Sequence, residues 1–202
     1  MKFKDAQTKM IEYLNSSDFS NREDAQDTVS SIAILEKIIS NGFITDNSQE
    51  GMCKSGYNTE IKRYYRIEER AYLSGFMKRE TARKFVERLN TETNKIAFIT
   101  QIDSTEEFDK LFYTTPRAVS GIPVTVENSA TTESGIKKLY PFSIIKLVLP
   151  ISAFNFAKKN AYLNKTEVVE HVVCIDPVYC RKATSVKGIY KDVLKILASI
   201  SV

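Results

Sequence analysis

An α+β fold in one domain over residues 1–202, with a mixed or antiparallel sheet covered by helices, follows from three observations. Helical and strand periodicities interleave along the chain, without the regular alternation that marks a doubly wound sheet. Several strand-like runs follow one another with only a loop between them. Apolar residues make up 43% of the 202, including 11 Phe and 10 Tyr, which is enough to fill a single core. No repeat, low-complexity tract or Pro/Gly-rich linker divides the chain.

Phe3 to Leu14 opens as a short helix. After Ser20, the residues Ala25, Val29, Ile32, Leu35 and Ile39 recur at spacings that place one apolar stripe on a helix. Ser20 and Glu23 fit a capping box at its start, and Gly42 fits its C-terminal stop. Phe43-Ile44-Thr45 reads as a short strand running into a polar loop, Asp46 to Gly51. The stretch 52–66 has weak periodicity and reads as a mobile insertion. Ile67 to Met77 suits a strand, with Ala71, Leu73, Gly75 and Met77 on one face and Tyr72, Ser74 and Phe76 on the other. Gly75 there points to a bulge or a close backbone approach.

Thr81 to Asn90 is predicted as a helix burying Ala82, Phe85, Val86 and Leu89. Ile96 to Thr100 is a short apolar strand, and Thr105 to Phe112 a brief helix. Further strands are expected at Ile122–Glu127, Ser143–Leu149 and Glu167–Ile175. Ser152 is placed to cap a helix reaching about Tyr162. The spacing of Ile189, Val193, Ile196, Leu197 and Ile200 marks a terminal helix.

The opening residues, Met1 to Gln7, lack the apolar run of a secretory signal. The most apolar region, Ser143 to Ala157, is interrupted by Lys146 and Pro150 and is too short for a bilayer. No transmembrane segment is therefore expected, and the reading is of a soluble protein. Three cysteines, Cys53, Cys174 and Cys180, form an odd and sparse set, so reduced thiols in the cytoplasm are the simpler expectation.

The net charge of +4 is unevenly spread. Residues 54–88 hold ten Lys/Arg against five Asp/Glu, and residues 181–202 hold five against one. Brought together in space, the two segments would attract an anionic partner.

The sequence has no Walker loop, paired-glycine dinucleotide turn, His-Glu-x-x-His helix or Gly-x-Ser-x-Gly elbow. No cofactor is implied. The lone histidine, His171, stands near Cys174 and Cys180, and with Cys53 these would nominally make four zinc ligands. Strand positions three apart face opposite ways, so His171 and Cys174 do not converge, and no metal site is assigned.

Two constellations remain. Thr45, Ser48 and Gln49 in the polar loop, with Arg70, offer hydroxyl, amide and guanidinium groups for a small anionic ligand. The same residue types also close turns. Arg63, Arg66, Arg79 and Arg83, interleaved with Tyr64 and Tyr65, would form a basic–aromatic surface for nucleic acid. Glu80 and Glu87 among them are also what a solvated helix carries.

The order of a helix, Gly42-Phe43-Ile44-Thr45, Ser48-Gln49, Gly51, Arg70-Ala71-Tyr72-x-x-Gly75-Phe76 and a following helix resembles a small uncharacterised family of large DNA viruses and some bacteria. The resemblance covers about residues 24–90. Pro often follows the Ser-Gln pair in that family, where this chain has Glu50. The resemblance implies a shared scaffold, a shared polar site and a viral source, and with it a place in host cytoplasm or virion. It transfers no activity.

A well-formed core without a catalytic set leads to a non-enzymatic binding or structural-interaction protein, with a protein partner or a second copy of itself. The alternatives are a small-ligand binder or enzyme using the 45–49 loop, and a nucleic-acid binder using residues 62–88.

Overall fold

The computed structural model describes residues 1–21, 30–60, 63–68, 70–103, 125–126, 131–132, 135–136, 145–146, 148–164 and 167–200. Its helices are α1 (Phe3–Leu14), α2 (Ser17–Ser20), α3 (Ile32–Ser40), α4 (Arg79–Glu92), α5 (Ile151–Asn160) and α6 (Ile189–Ile200). A four-stranded sheet is built from β1 (Ile44–Gln49), β4 (Arg70–Lys78), β5 (Ile96–Ile99) and β12 (Val169–Tyr179), in the order β1-β4-β12-β5. Each neighbouring pair is antiparallel. The arrangement is α+β.

The remaining strands pair two by two. They comprise the antiparallel hairpin β2 (Cys53–Asn58) with β3 (Arg63–Glu68), and the parallel pair β6 (Gln101–Asp103) with β11 (Val148–Pro150). Two short antiparallel pairs join β7 (Thr125–Val126) to β10 (Ile145–Lys146) and β8 (Thr131–Thr132) to β9 (Gly135–Ile136).

The core forms where helical stripes meet one face of the sheet. In α4 the buried residues are Ala82, Phe85, Val86 and Leu89, the set that the 3.6-residue period predicts. They join Ala71, Leu73 and Met77 of β4, Val172 and Cys174 of β12, and Ile189, Val193, Ile196 and Leu197 of α6 in one cluster. Phe43 meets Phe85 edge to face at 5.7 Å. Burying each such side chain stabilises the fold by about 1.5–3 kcal/mol. The opposite sheet face buries Tyr72, Phe98, Val173 and Ile175, and Phe76 there meets Phe154 of α5 at 5.6 Å.

Helix ends follow their residues. At the end of α3, the amide of Gly42 donates to Ile39 and that of Phe43 to Ile38, with Gly42 at φ 99°, so the expected glycine stop is a Schellman motif. In the last turn of α4, the Asn90 carboxamide donates to Ala97 O and accepts from Ala97 N, at 2.7 and 2.9 Å. One side chain thus fastens α4 to the edge strand β5 and occupies backbone groups that an edge would leave open.

Several expectations are corrected. The capping partner expected for Ser20, Glu23, lies outside the described residues. Ser20 itself ends α2, which Ser16 caps, and the helix expected to run unbroken to Gly42 is interrupted by a turn at 30–31, with α3 beginning at Ile32. Within the stretch 52–66, Cys53–Asn58 pairs with the strand that starts at Arg63 to form the β2–β3 hairpin, and Ile67 and Glu68 belong to β3, so β4 starts at Arg70. Ser152 lies within α5, which starts at Ile151 directly after Pro150. The helix expected at Thr105–Phe112, and the parts of other expected elements at 22–29, 122–124, 127, 143–144 and 147, lie outside the described residues.

Candidate functional site

The polar loop expected at 46–49 is strand. β1 continues through Gln49, with a register shift between Thr45 and Asn47 that leaves Asp46 as an extra residue against β4. Gly75 makes this possible, because a Cβ there would lie 2.1 Å from Ile44 O. The bulge also resets the alternation. Thr45 and Ser48 pair with Gly75 and Leu73, while Gln49 pairs with Tyr72. Thr45 is buried, and Ser48 shares a hydrogen bond with Tyr190 of α6. Burial pushes the Tyr190 phenol up from its ordinary value, and Ser48 opposes the shift. Gln49 and Arg70 sit at positions of the other parity, at one end of the sheet. The four residues are thus split between the two faces.

The bulge places Asp46 in a buried chain of polar groups. Ser74 donates its hydroxyl to Asp46 Oδ1 at 2.7 Å, and Asp46 Oδ2 lies 3.0 Å from His171 Nε2. With Nε2–H donating to the carboxylate, Nδ1 accepts from the Thr100 hydroxyl at 3.3 Å; the His171 carbonyl is a competing acceptor at the same distance. Phe76 closes over the imidazole edge to face at 5.0 Å. Burial pushes the Asp46 carboxyl up, but the electrostatic attraction of His171 and the hydrogen bonds from His171 and Ser74 together hold it below its ordinary value. The serine bonds to the aspartate and not to the histidine, so Ser74 is not an activated nucleophile.

A second buried network lies at the far end of β12. Lys95 Nζ stands 3.0 Å from Asp176 Oδ2, with both side chains fully buried, and 3.5 Å from Asp192. Lys187 O and Asn94 Oδ1 accept its other protons at 2.7 and 3.0 Å. Arg181 approaches Asp176 at 3.4 Å. Next to it, the Arg70 guanidinium carbon lies over the Tyr179 ring at 4.0 Å from its centre, a cation–π contact. Burial draws Arg70 down from its ordinary value, against the charges of Tyr179 and Asp176. Arg70, expected to meet a ligand, is therefore packed against its neighbours in the fold.

The β2–β3 hairpin is joined to the body at this end, through β4 and through Cys180. Its strands pair from Cys53↔Glu68 to Asn58↔Arg63. The paired residues Tyr57 and Tyr64 are 49% and 86% exposed, their rings edge to face at 4.9 Å. Cys53, at the open end, is joined by a disulfide to Cys180 just beyond β12, with a Cα separation of 5.0 Å. The expectation of three reduced thiols is thereby corrected. The partners are 127 residues apart, so no local spacing betrays the pair. Cys174 remains a free thiol, and burial pushes its pKa well up.

Of the basic residues, Arg63 and Arg66 lie on β3, opposite Asn58 and Ser55, and Arg79 and Arg83 lie on the exposed side of α4. The Arg79 guanidinium is engaged by Glu170 at 2.6 Å, and Arg88 farther along by Glu92 at 2.5 Å. Two of the helix's cations therefore already face carboxylates. Among the described residues no group of three or more His, Cys, Asp or Glu is placed to hold a metal ion. No described helix is long and apolar enough to cross a membrane.

Tyr57, Asp46, Lys95 and Asp176 were not singled out in the sequence. The tyrosine had a weak signal, because two short runs, Lys54 to Asn58 and Arg63 to Arg66, flank a polar turn with aromatics on either side. Comparison with family models, with curated proteins and with solved structures found no match.

Proposed function

We propose that this chain is a non-enzymatic binding protein whose contact element is the β2–β3 hairpin and whose partner is another protein. The observation that carries the reading is the Tyr57–Tyr64 pair, large rings held side by side in water on a hairpin. Tyrosines present a rigid apolar body with a polar tip and lose little entropy when covered, which is why they anchor protein interfaces. The hairpin favours a protein over a nucleic acid by its charge. Lys54, Lys62, Arg63 and Arg66 are nearly balanced by Glu60, Glu68 and Glu69.

The other readings draw less support. A nucleic-acid surface on α4 would first have to release Arg79 from Glu170. A small-ligand site would need Thr45, Ser48, Gln49 and Arg70 to converge across the sheet. With the viral resemblance, the partner is a component of a particle or of the host. A disulfide favours the virion over the reducing cytoplasm as the place of action.

The test is a photo-crosslinking residue at position 64, with the same residue at Val186, which is 82% exposed elsewhere, as a control. Irradiation in the producing cell is expected to give a discrete adduct from 64 alone. An adduct of twice the chain's mass would identify the partner as a second copy, which light scattering would then show in the purified protein. Absence of any adduct at 64, or the same adducts from both positions, would sink the proposal.

A further inference from the structure

We propose that the Cys53–Cys180 bond is a redox-operated tether, which holds the Tyr57–Tyr64 hairpin in its binding position when oxidised and releases it when reduced. This rests on the hairpin being the contact element, and it adds the means by which that contact is regulated.

Among the described residues the hairpin forms its own two-stranded sheet and shares no strand pairing with the central one. Two strands alone are marginal in water, so what fixes this pair to the body matters. On one side, β3 passes through a single residue into β4. On the other, Cys53 starts β2 and is bonded to Cys180. Just upstream, Glu50 is pinned by its own hydrogen bonds, accepting from the Ala183 amide at 2.5 Å and from the Ser31 hydroxyl at 3.0 Å. The chain before the bond and the strand after the hairpin are thus both secured without it. Opening it frees the hairpin and leaves the sheet intact.

Two features make the bond suited to opening in the folded protein. Cys53 is exposed and Cys180 partly so, which gives a small thiol access. Cys180 also sits at φ 63°, a backbone conformation that residues with a Cβ rarely adopt.

The reductant is a low-molecular-mass thiol, glutathione being the probe. Its thiolate attacks one sulfur, the S–S bond breaks, and the other cysteine leaves as a thiolate. A second glutathione attacks the mixed disulfide and releases the remaining cysteine. Two glutathiones lose two electrons and leave as their oxidised dimer, and their two protons end on Cys53 and Cys180.

The experiment is hydrogen exchange by mass spectrometry on the full chain, with and without reduced glutathione, and on the Cys53→Ser/Cys180→Ser variant without thiol. Exchange in 53–58 and 63–68 is expected to rise about tenfold or more on reduction and equally in the variant, while β4, β12 and α6 keep their protection. Unchanged exchange in the hairpin after the bond has opened would overturn the proposal. So would a bond that opens only when α6 loses protection too. The position-64 adduct, measured in both redox states, separates this proposal from the one beneath it. An adduct lost on reduction supports both. An adduct equal in both states overturns regulation and keeps the partner. No adduct in either state, with the exchange response present, overturns the partner reading while the tether stands.

Discussion

Asp46 is a carboxylate subject to opposing influences. Burial favours its neutral form, while His171 and Ser74 favour the charged one and prevail, so its pKa lies below the ordinary 3.8. A group whose folded-state pKa is depressed stabilises the fold fully above its unfolded value, and that contribution is lost as pH falls through the folded one. Asp46→Asn is therefore expected to lose about 1–3 kcal/mol at neutral pH, where His171 and Ser74 are left with a poorer partner. The gap between wild type and variant in urea denaturation should shrink as pH is taken below 3.8. A gap independent of pH would show that Asp46 acts by shape alone. His171 drew attention in the sequence as the only histidine, but its partner was hidden. The two residues are 125 positions apart, and a polar residue in Thr45-Asp46-Asn47-Ser48-Gln49 reads as turn chemistry until a second strand is laid beside it.

Elements were legible where one face is buried and the other is not. α4 carries its period openly, and so its buried residues could be named from spacing. β4 is buried on both faces and was legible instead as an unbroken run of strand-forming residues, with Gly75 marking the close approach. β1 was not, because an edge strand with a bulge resets its alternation and presents polar residues on both sides. The hairpin was missed for a related cause. Of its described side chains, Cys53, Ser55, Tyr57 and Tyr64 are exposed, so no core patterns them. The bulge gives a test at this scale. Gly75→Ala puts a Cβ 2.1 Å from Ile44 O, a backbone atom that yields only if β1 shifts, so a loss of about 1–3 kcal/mol is expected. Thermal melting measures the loss, and faster amide exchange in β1 than in β5 would locate it. A variant as stable as wild type would contradict the close approach.

At the scale of the whole molecule, the α+β class was legible from the interleaving of elements, whereas the covalent link between its ends was not. Cys53 and Cys180 close a loop spanning 127 residues. In the chain-entropy view such a loop restricts the unfolded ensemble by an amount worth up to about 4–5 kcal/mol. The Cys53→Ser/Cys180→Ser variant should still fold, with the central sheet intact and a lower denaturation midpoint in guanidinium. A midpoint equal to that of the oxidised wild type would mean that the bond constrains the hairpin and little else.

The strand order has a consequence for synthesis. The two inner strands of the sheet, β4 and β12, pair Arg70–Lys78 with Val169–Tyr179, and every other strand of that sheet joins one of them. A nascent chain that has delivered β1, β4 and α4 from the ribosome holds one hairpin-like pair with its inner edge open. It must wait for β12 before β5 has a neighbour. Contacts this distant in the chain form slowly, and an open edge invites pairing with other chains meanwhile. Translation of the intervening residues is thus the interval in which that edge stands open.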